Sequence, residues 1–185
     1  MATLRDLEVH EGLNAYCGGA VAHAVKDIVG VQFRNMATVG GSIWGRFGFS
    51  DVLTVFLALD SYVELYKGGV IPLEQFVQMK KDNDVLVRLI VKKTPCKVVY
   101  SSVRNQRTDF PVIACAVASM NGEYRAAIGA RPSRAMLIRS DRLEGFAAYA
   151  AENAPTQGNI RGSAAYRTHL IKVLVERAAA EMGGM

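Results

Sequence analysis

The sequence predicts an α+β fold: an antiparallel or mixed sheet lobe carrying a Gly-Gly loop, then a small antiparallel sheet backed by helices. Three observations carry this. Apolar residues between 13 and 28 recur at helical spacing, short β-rich runs bounded by turn residues fill the middle of the chain, and from Asp141 the pattern is helical again. Strands paired locally first, with helices then on one side, argue against a doubly wound sheet.

In order, Leu13, Tyr16, Cys17, Ala20, Val21, Ala24, Val25 and Ile28 describe one amphipathic helix with Gly18-Gly19 as a weak point, ending near Gly30. Residues 31–43 follow as loop. Ser50 is the expected N-cap of a short helix, with Asp51 in its first turn. Residues 61–66 alternate as a strand, Gly68-Gly69 turns it, and 71–76 return as a strand end leading into a helical turn. Residues 85–91 and 97–103 are β-rich. Residues 111–119 and 123–130 form a hairpin through Asn121-Gly122, and 134–138 adds a strand. Helices span 143–151 and 164–182, joined by a linker over 154–159. A boundary near residues 92–96 divides the chain into lobes 1–93 and 94–185.

With 185 residues, half of them hydrophobic, the chain is long enough to bury a core. Its 22 basic and 17 acidic residues give a net charge of +5, spread along the chain. Lys80-Lys81 and Lys92-Lys93 are short pairs, and no cationic stripe with aromatics marks a nucleic-acid binder. Cys17, Cys96 and Cys115 lack metal-ligand spacing among themselves or with His10, His23 and His169, and read as free thiols in a reducing cytoplasm. No apolar run is long enough to span a bilayer, and Arg5, Asp6, Glu8 and Glu11 interrupt any leader-like start.

The most informative stretch is Phe33-Arg34-Asn35-Met36-Ala37-Thr38-Val39-Gly40-Gly41-Ser42-Ile43, with Ser50-Asp51 beyond it. Paired glycines let backbone N–H groups approach a ligand closely and hold phosphate. Further on come Phe56-Leu57-Ala58-Leu59-Asp60-Ser61 and Ile71-Pro72-Leu73-Glu74-Gln75-Phe76, then Arg107-Thr108-Asp109-Phe110, then Asn121-Gly122 leading to Arg125-Ala126-Ala127-Ile128-Gly129, and finally Arg161-Gly162-Ser163-Ala164-Ala165-Tyr166-Arg167. These motifs, in this order, resemble the FAD-binding (medium) subunits of molybdenum hydroxylases, the flavoproteins of the xanthine dehydrogenase and carbon monoxide dehydrogenase type. The resemblance covers about residues 10–180.

The resemblance implies that 1–93 is the second FAD-binding lobe and 94–185 the C-terminal flavoprotein domain of the carbon monoxide dehydrogenase type. Thr38, Gly40, Gly41 and Ser42 would hold the FAD pyrophosphate. Asp51 would accept hydrogen bonds from hydroxyls on the adenosine side, and Leu86 would lie near the isoalloxazine ring. Arg34 and Asn35 either belong to this cofactor segment or tie the loop to the preceding helix. Ser42 stands where the family carries Asn, Ala37 where it carries Gly, and Ser101 where it often carries Lys. The family's first phosphate loop, A-G-G-T/S, sits in a preceding subdomain with no counterpart in this sequence.

The expected function is that of an oxidoreductase component, passing electrons from iron–sulfur clusters through FAD to NAD or another acceptor. Its partners would be the molybdopterin-binding and iron–sulfur subunits, with no nucleophile or general base in this chain. The alternative is a flavin-free or split-domain interaction subunit that needs a partner chain to complete the FAD site; an exposed apolar face there would favour it, and homo-oligomer formation too. Asp60 and Asp109 read as turn or strand-end residues, and Tyr166 and Arg167 as a lock between the last helix and the sheet. For Trp44 three readings stand open: covering the flavin, packing on a partner, or shielding its own loop.

Overall fold

The structure, a computed structural model, describes residues 1–183. The N-terminal half is helical: α1 (Leu4–Val9), α2 (Glu11–Tyr16), α3 (Ala20–Val25), α4 (Val31–Met36), α5 (Val39–Trp44) and α6 (Asp51–Ala58). Next comes an antiparallel three-stranded sheet ordered β2-β1-β3, from β1 (Ser61–Leu65), β2 (Gly69–Pro72) and β3 (Leu86–Val91), with α7 (Leu73–Gln78) between the last two. A second antiparallel sheet runs in chain order through β4 (Cys96–Val103), β5 (Ile113–Met120), β6 (Glu123–Gly129) and β7 (Met136–Ser140). Helices α8 (Phe146–Asn153) and α9 (Ala164–Gly183) close the chain.

The α+β class and its antiparallel sheets agree with expectation, but three local readings change. The helix expected over 13–28 breaks into α2 and α3, because Gly18 and Gly19 both take positive φ, 57° and 79°. The segment expected as loop over 31–43 is two short helices, α4 and α5, parted at Ala37-Thr38 where the backbone is extended. Helix α1 was unforeseen. Its signal is a capping box, in which Thr3 Oγ1 accepts from Asp6 N and Asp6 Oδ2 accepts from Thr3 N. The Asn121-Gly122 hairpin has both residues at positive φ, 52° and 79°, as a tight I′-like turn requires.

Helix α6 sits at the centre. All of its residues are buried, and it packs against α3, α5, β1, β5 and β6. Strand β5 is buried on both faces. Ala114, Ala116 and Ala118 join the core that contains α6, while Ile113, Cys115 and Val117 face the α8 and α9 side. Small residues on one side and larger ones on the other let the helix lie close to the sheet. The approach is tightest at Gly129, where an added Cβ would stand 2.1 Å from Thr54 Oγ1. Gly48 is equally constrained: a Cβ there would be 1.9 Å from the Ser133 carbonyl oxygen, and its own carbonyl accepts from Ala130 N at 2.6 Å. These contacts fasten the N-terminal half to the β6–β7 connection.

Buried arginines tie down the irregular segments. Arg167 is fully buried and donates to the carbonyls of Val112, Gln157 and Gly162 and to Asn159 Oδ1, which locks the start of α9 onto the sheet. Tyr166, expected to share this role, is half exposed, with its ring against Gly162. Arg46 donates to the Phe76, Met79 and Lys80 carbonyls at the end of α7 and lies over the rings of Phe76 and Trp44. Asp60 accepts from Thr94 Oγ1, and Asp109 pairs with Arg161, both structural contacts between segments.

Gly48→Ala should lower stability by about 1–3 kcal/mol, since the Ser133 carbonyl is backbone and cannot swing away. Gly40→Ala, which meets nothing within 4 Å, should not. Urea midpoints at unchanged m-value check the pair. A second expectation concerns Glu8, which binds Arg34 Nε at 2.9 Å and Nη2 at 3.2 Å and Arg5 Nη1 at 2.8 Å. Burial pushes its carboxyl up, but Arg34 and Arg5 outweigh that and hold it below the usual range. A depressed folded pKa stabilises above the unfolded value, about 4.3, and the gain is lost as pH falls through the folded one. The stability advantage of wild type over Glu8→Gln should therefore be constant at neutral pH and shrink below about pH 4. Parallel acid denaturation series measure it.

Candidate functional site

Thr38 is in extended backbone and caps α5, its Oγ1 accepting from Gly41 N at 3.0 Å. Val39 N donates to the Ala2 carbonyl, and Ser42 N to the Thr38 carbonyl. The Gly40 N–H is left without an acceptor among the described residues. The two glycines do different work. A Cβ on Gly41 would press to 3.1 Å from the capping Thr38 Oγ1, whereas one on Gly40 would point into open space. Gly40 thus leaves open space beside bare backbone, and its N–H is not engaged among the described residues.

Opposite lies β3. Thr38, Gly40, Gly41 and Trp44 on one side and Leu86, Arg88 and Leu89 on the other bound a cleft of about 690 Å³. That lies within the roughly 300–1,000 Å³ of small-molecule and cofactor sites. Phe56 of α6 also lines it. Trp44 is held in the wall by Phe76, at 5.8 Å between ring centroids, and by the Arg46 guanidinium. Arg88 pairs with Glu64 at 2.5 Å and supplies a cation to the cleft. Asp84, the acid at the rim, is turned to the N–H groups of Lys67, Gly68 and Val85. A bare N–H, one cation and long apolar walls fit a ligand that combines phosphate with flat rings. FAD is such a ligand, so the donor set and the open space at Gly40 are compatible with it.

Ser42 and Asp51 do not face this cleft. They line a second cavity, of about 300 Å³, between the two halves of the chain, with Phe33, Phe47, Phe49 and Phe110. Phe47 stacks on Phe49 at 5.2 Å, and Phe49 meets Phe110 at 4.3 Å. Helix α5 therefore contributes to both spaces. Asp51 is only 5 % exposed. Its Oδ1 accepts from Arg104 Nη2 at 2.6 Å and from Tyr100 Oη. Burial pushes its carboxyl above the usual range, with Arg104 and Tyr100 opposing. Burial, with Asp51 beside it, likewise pushes the Tyr100 phenol well up.

Arg34 and Asn35 line neither space. Arg34 is buried and spends its donors on Glu8 and on the Ile28 and Val29 carbonyls, while Asn35 is exposed. Tyr100 and Arg104 were not singled out from the sequence, since a strand tyrosine and an arginine beyond it carry no motif; only the fold brings them to Asp51. No group of His, Cys, Asp and Glu suited to a metal occurs among the described residues, and no helix there is long and apolar enough to cross a membrane.

Comparison with known proteins agrees with this geometry. Residues 1–93 match the model of the FAD binding domain in molybdopterin dehydrogenase. An uncharacterized Escherichia coli K12 protein, YgfM, is 26% identical over 162 residues, covering 84% of this chain. The chain spans 62% of that relative's length. Among solved structures, quinoline 2-oxidoreductase from Pseudomonas putida 86 superposes with a TM-score of 0.80 at 20% identity, over 98% of this chain and 72% of that one. Carbon monoxide dehydrogenase from Oligotropha carboxidovorans gives 0.81 at 19% identity, over 96% and 73%. At such identities the superpositions establish the fold, and the family match establishes the family. The chain belongs to the family of FAD-binding domains of molybdopterin dehydrogenases, and its cofactor is FAD.

Proposed function

We propose that this chain is the FAD-holding electron-transfer component of a molybdenum hydroxylase. It takes electrons that reach it through the iron–sulfur clusters of a partner subunit and passes them to NAD or another acceptor. The substrate is hydroxylated elsewhere, on a molybdopterin-binding subunit. Bound FAD supplies the redox chemistry, and the chain's own residues position it and shield it from water. The observation that carries this reading is Gly40, whose N–H has no acceptor among the described residues, lining one cleft with β3 in a chain of this family. In this reading Thr38, Gly40 and Gly41 approach the pyrophosphate, and Leu86 contacts a ring along β3. Ser42 and Asp51 serve the cofactor from the second cavity. Arg34 and Asn35 support the segment from behind. The match to the FAD binding domain in molybdopterin dehydrogenase supports the choice of partner. Three free cysteines fit a reducing cytoplasmic setting.

A second reading is favoured by the outer rim of the cleft. Val85 and Val87 are exposed there, at 62% and 49%, beside exposed Gly40 and Gly41. Apolar side chains in that position suit a further wall, so the FAD site would be shared with another polypeptide that covers them.

Titration with FAD, followed by flavin fluorescence, separates the readings. Wild type should bind saturably at one site. Gly40→Val, whose Cβ meets no protein atom within 4 Å, adds bulk at a residue lining the cleft and should weaken binding at least about tenfold, or ~1.4 kcal/mol, with thermal stability retained. Equal affinity in the two proteins would remove the cleft assignment. A folded wild type with no affinity would favour the shared site.

A further inference from the structure

The Asp51 carboxylate is held asymmetrically. Both of its side-chain partners, Arg104 and Tyr100, bond to Oδ1. No side-chain donor among the described residues bonds Oδ2. Asp51 itself lines the phenylalanine-walled cavity. Arg104 is itself fixed, because its Nη1 donates to the Asp109 carbonyl at 2.5 Å, and the Asp109 carboxylate is gripped by Arg161. A chain of contacts thus runs from the β5 side of the fold to the first turn of α6.

We infer that Arg104, with Tyr100, is the positioning residue that keeps Asp51 ionised and presents Oδ2 to the phenylalanine-walled cavity as an acceptor for an N–H or hydroxyl of the cofactor. The inference rests on the FAD reading for its ligand, and on this geometry alone for the state of Asp51. A buried carboxylate without a cation takes up a proton near neutral pH, and the protonated oxygen becomes a donor in place of an acceptor. Arg104 is the group that prevents this. The other charged or titratable groups around Asp51 are less direct. His23, on α3, lies edge-on to the Tyr100 ring at 6.1 Å. Asp27 is engaged by Arg107 at 2.8 Å, and Asp109 by Arg161 at 3.1 Å. On α6 itself, Asp51 is the acid of the first turn.

The test is FAD affinity measured from about pH 5.5 to about pH 9 for wild type, Arg104→Lys, Arg104→Met and Asp51→Asn, with ¹³C-carboxyl NMR of Asp51 in the same proteins. Wild type and Arg104→Lys should bind with nearly flat pH dependence. Arg104→Met should bind at least about tenfold more weakly at neutral pH and recover as pH rises, as the raised carboxyl ionises. Asp51→Asn should be weak and flat throughout. NMR should show the Asp51 titration moved to higher pH in Arg104→Met. A loss in Arg104→Met that is equal at every pH, or an Asp51 titration identical to wild type, overturns the inference. If wild type binds no FAD, the FAD reading fails while the NMR comparison still decides the Asp51 assignment. Tyr100→Phe, which removes one hydrogen bond and keeps the ring, should shift the titration in the same direction by less.

Discussion

The burial of α6 is the constraint from which the rest of the architecture follows. A helix with no solvent face must be covered on every side, and this one is covered by α3 and α5, by β1, and by the alanine face of β5 and β6. Close packing on that face demands small residues and a bare backbone, which explains Gly129 against Thr54. A buried helix also leaves its first-turn carboxylate little water, so Asp51 needs a cation and a hydroxyl from elsewhere; Tyr100 of β4 and Arg104 just beyond that strand deliver them. Both halves of the chain are therefore committed to one core, although their strands form separate sheets.

That shared core places the two cavities. Helix α5 lies between the three-stranded sheet and the loop that docks on the β6–β7 connection. One side of it lines the β3 cleft, and Ser42 lines the phenylalanine cavity. The positions expected to act together thus divide into two sets, Thr38, Gly40, Gly41 and Leu86 in one and Ser42 and Asp51 in the other. An extended cofactor with a phosphate middle and rings at its ends suits two spaces that share a short helix better than one round pocket does.

Much of this was legible in the sequence, for physical reasons. Strands β1 and β4–β7 alternate or carry strong turn signals, and Ser50 at the head of an apolar run is a plain helix start. The break in the 13–28 helix was not legible, since apolar periodicity continues through Gly18-Gly19 and only the backbone angles show the interruption. Short helices such as α4 and α5 escape periodicity because six residues make too few turns. The cleft residues were found because glycine pairs and a family pattern mark them. Tyr100 and Arg104 were not, because a contact across about fifty residues leaves no local spacing to read.

Trp44 is the sole tryptophan of the sequence, and it stands in the wall of the cleft beside Gly40 and Gly41. Its ring is pinned by Phe76 and Arg46, so its surroundings on the protein side are fixed and only the cleft side varies. The molecule therefore carries an intrinsic optical probe at the place of interest. Near-ultraviolet emission from the unlabelled protein will report on whatever enters the cleft, with no second indole elsewhere in the chain to blur the signal.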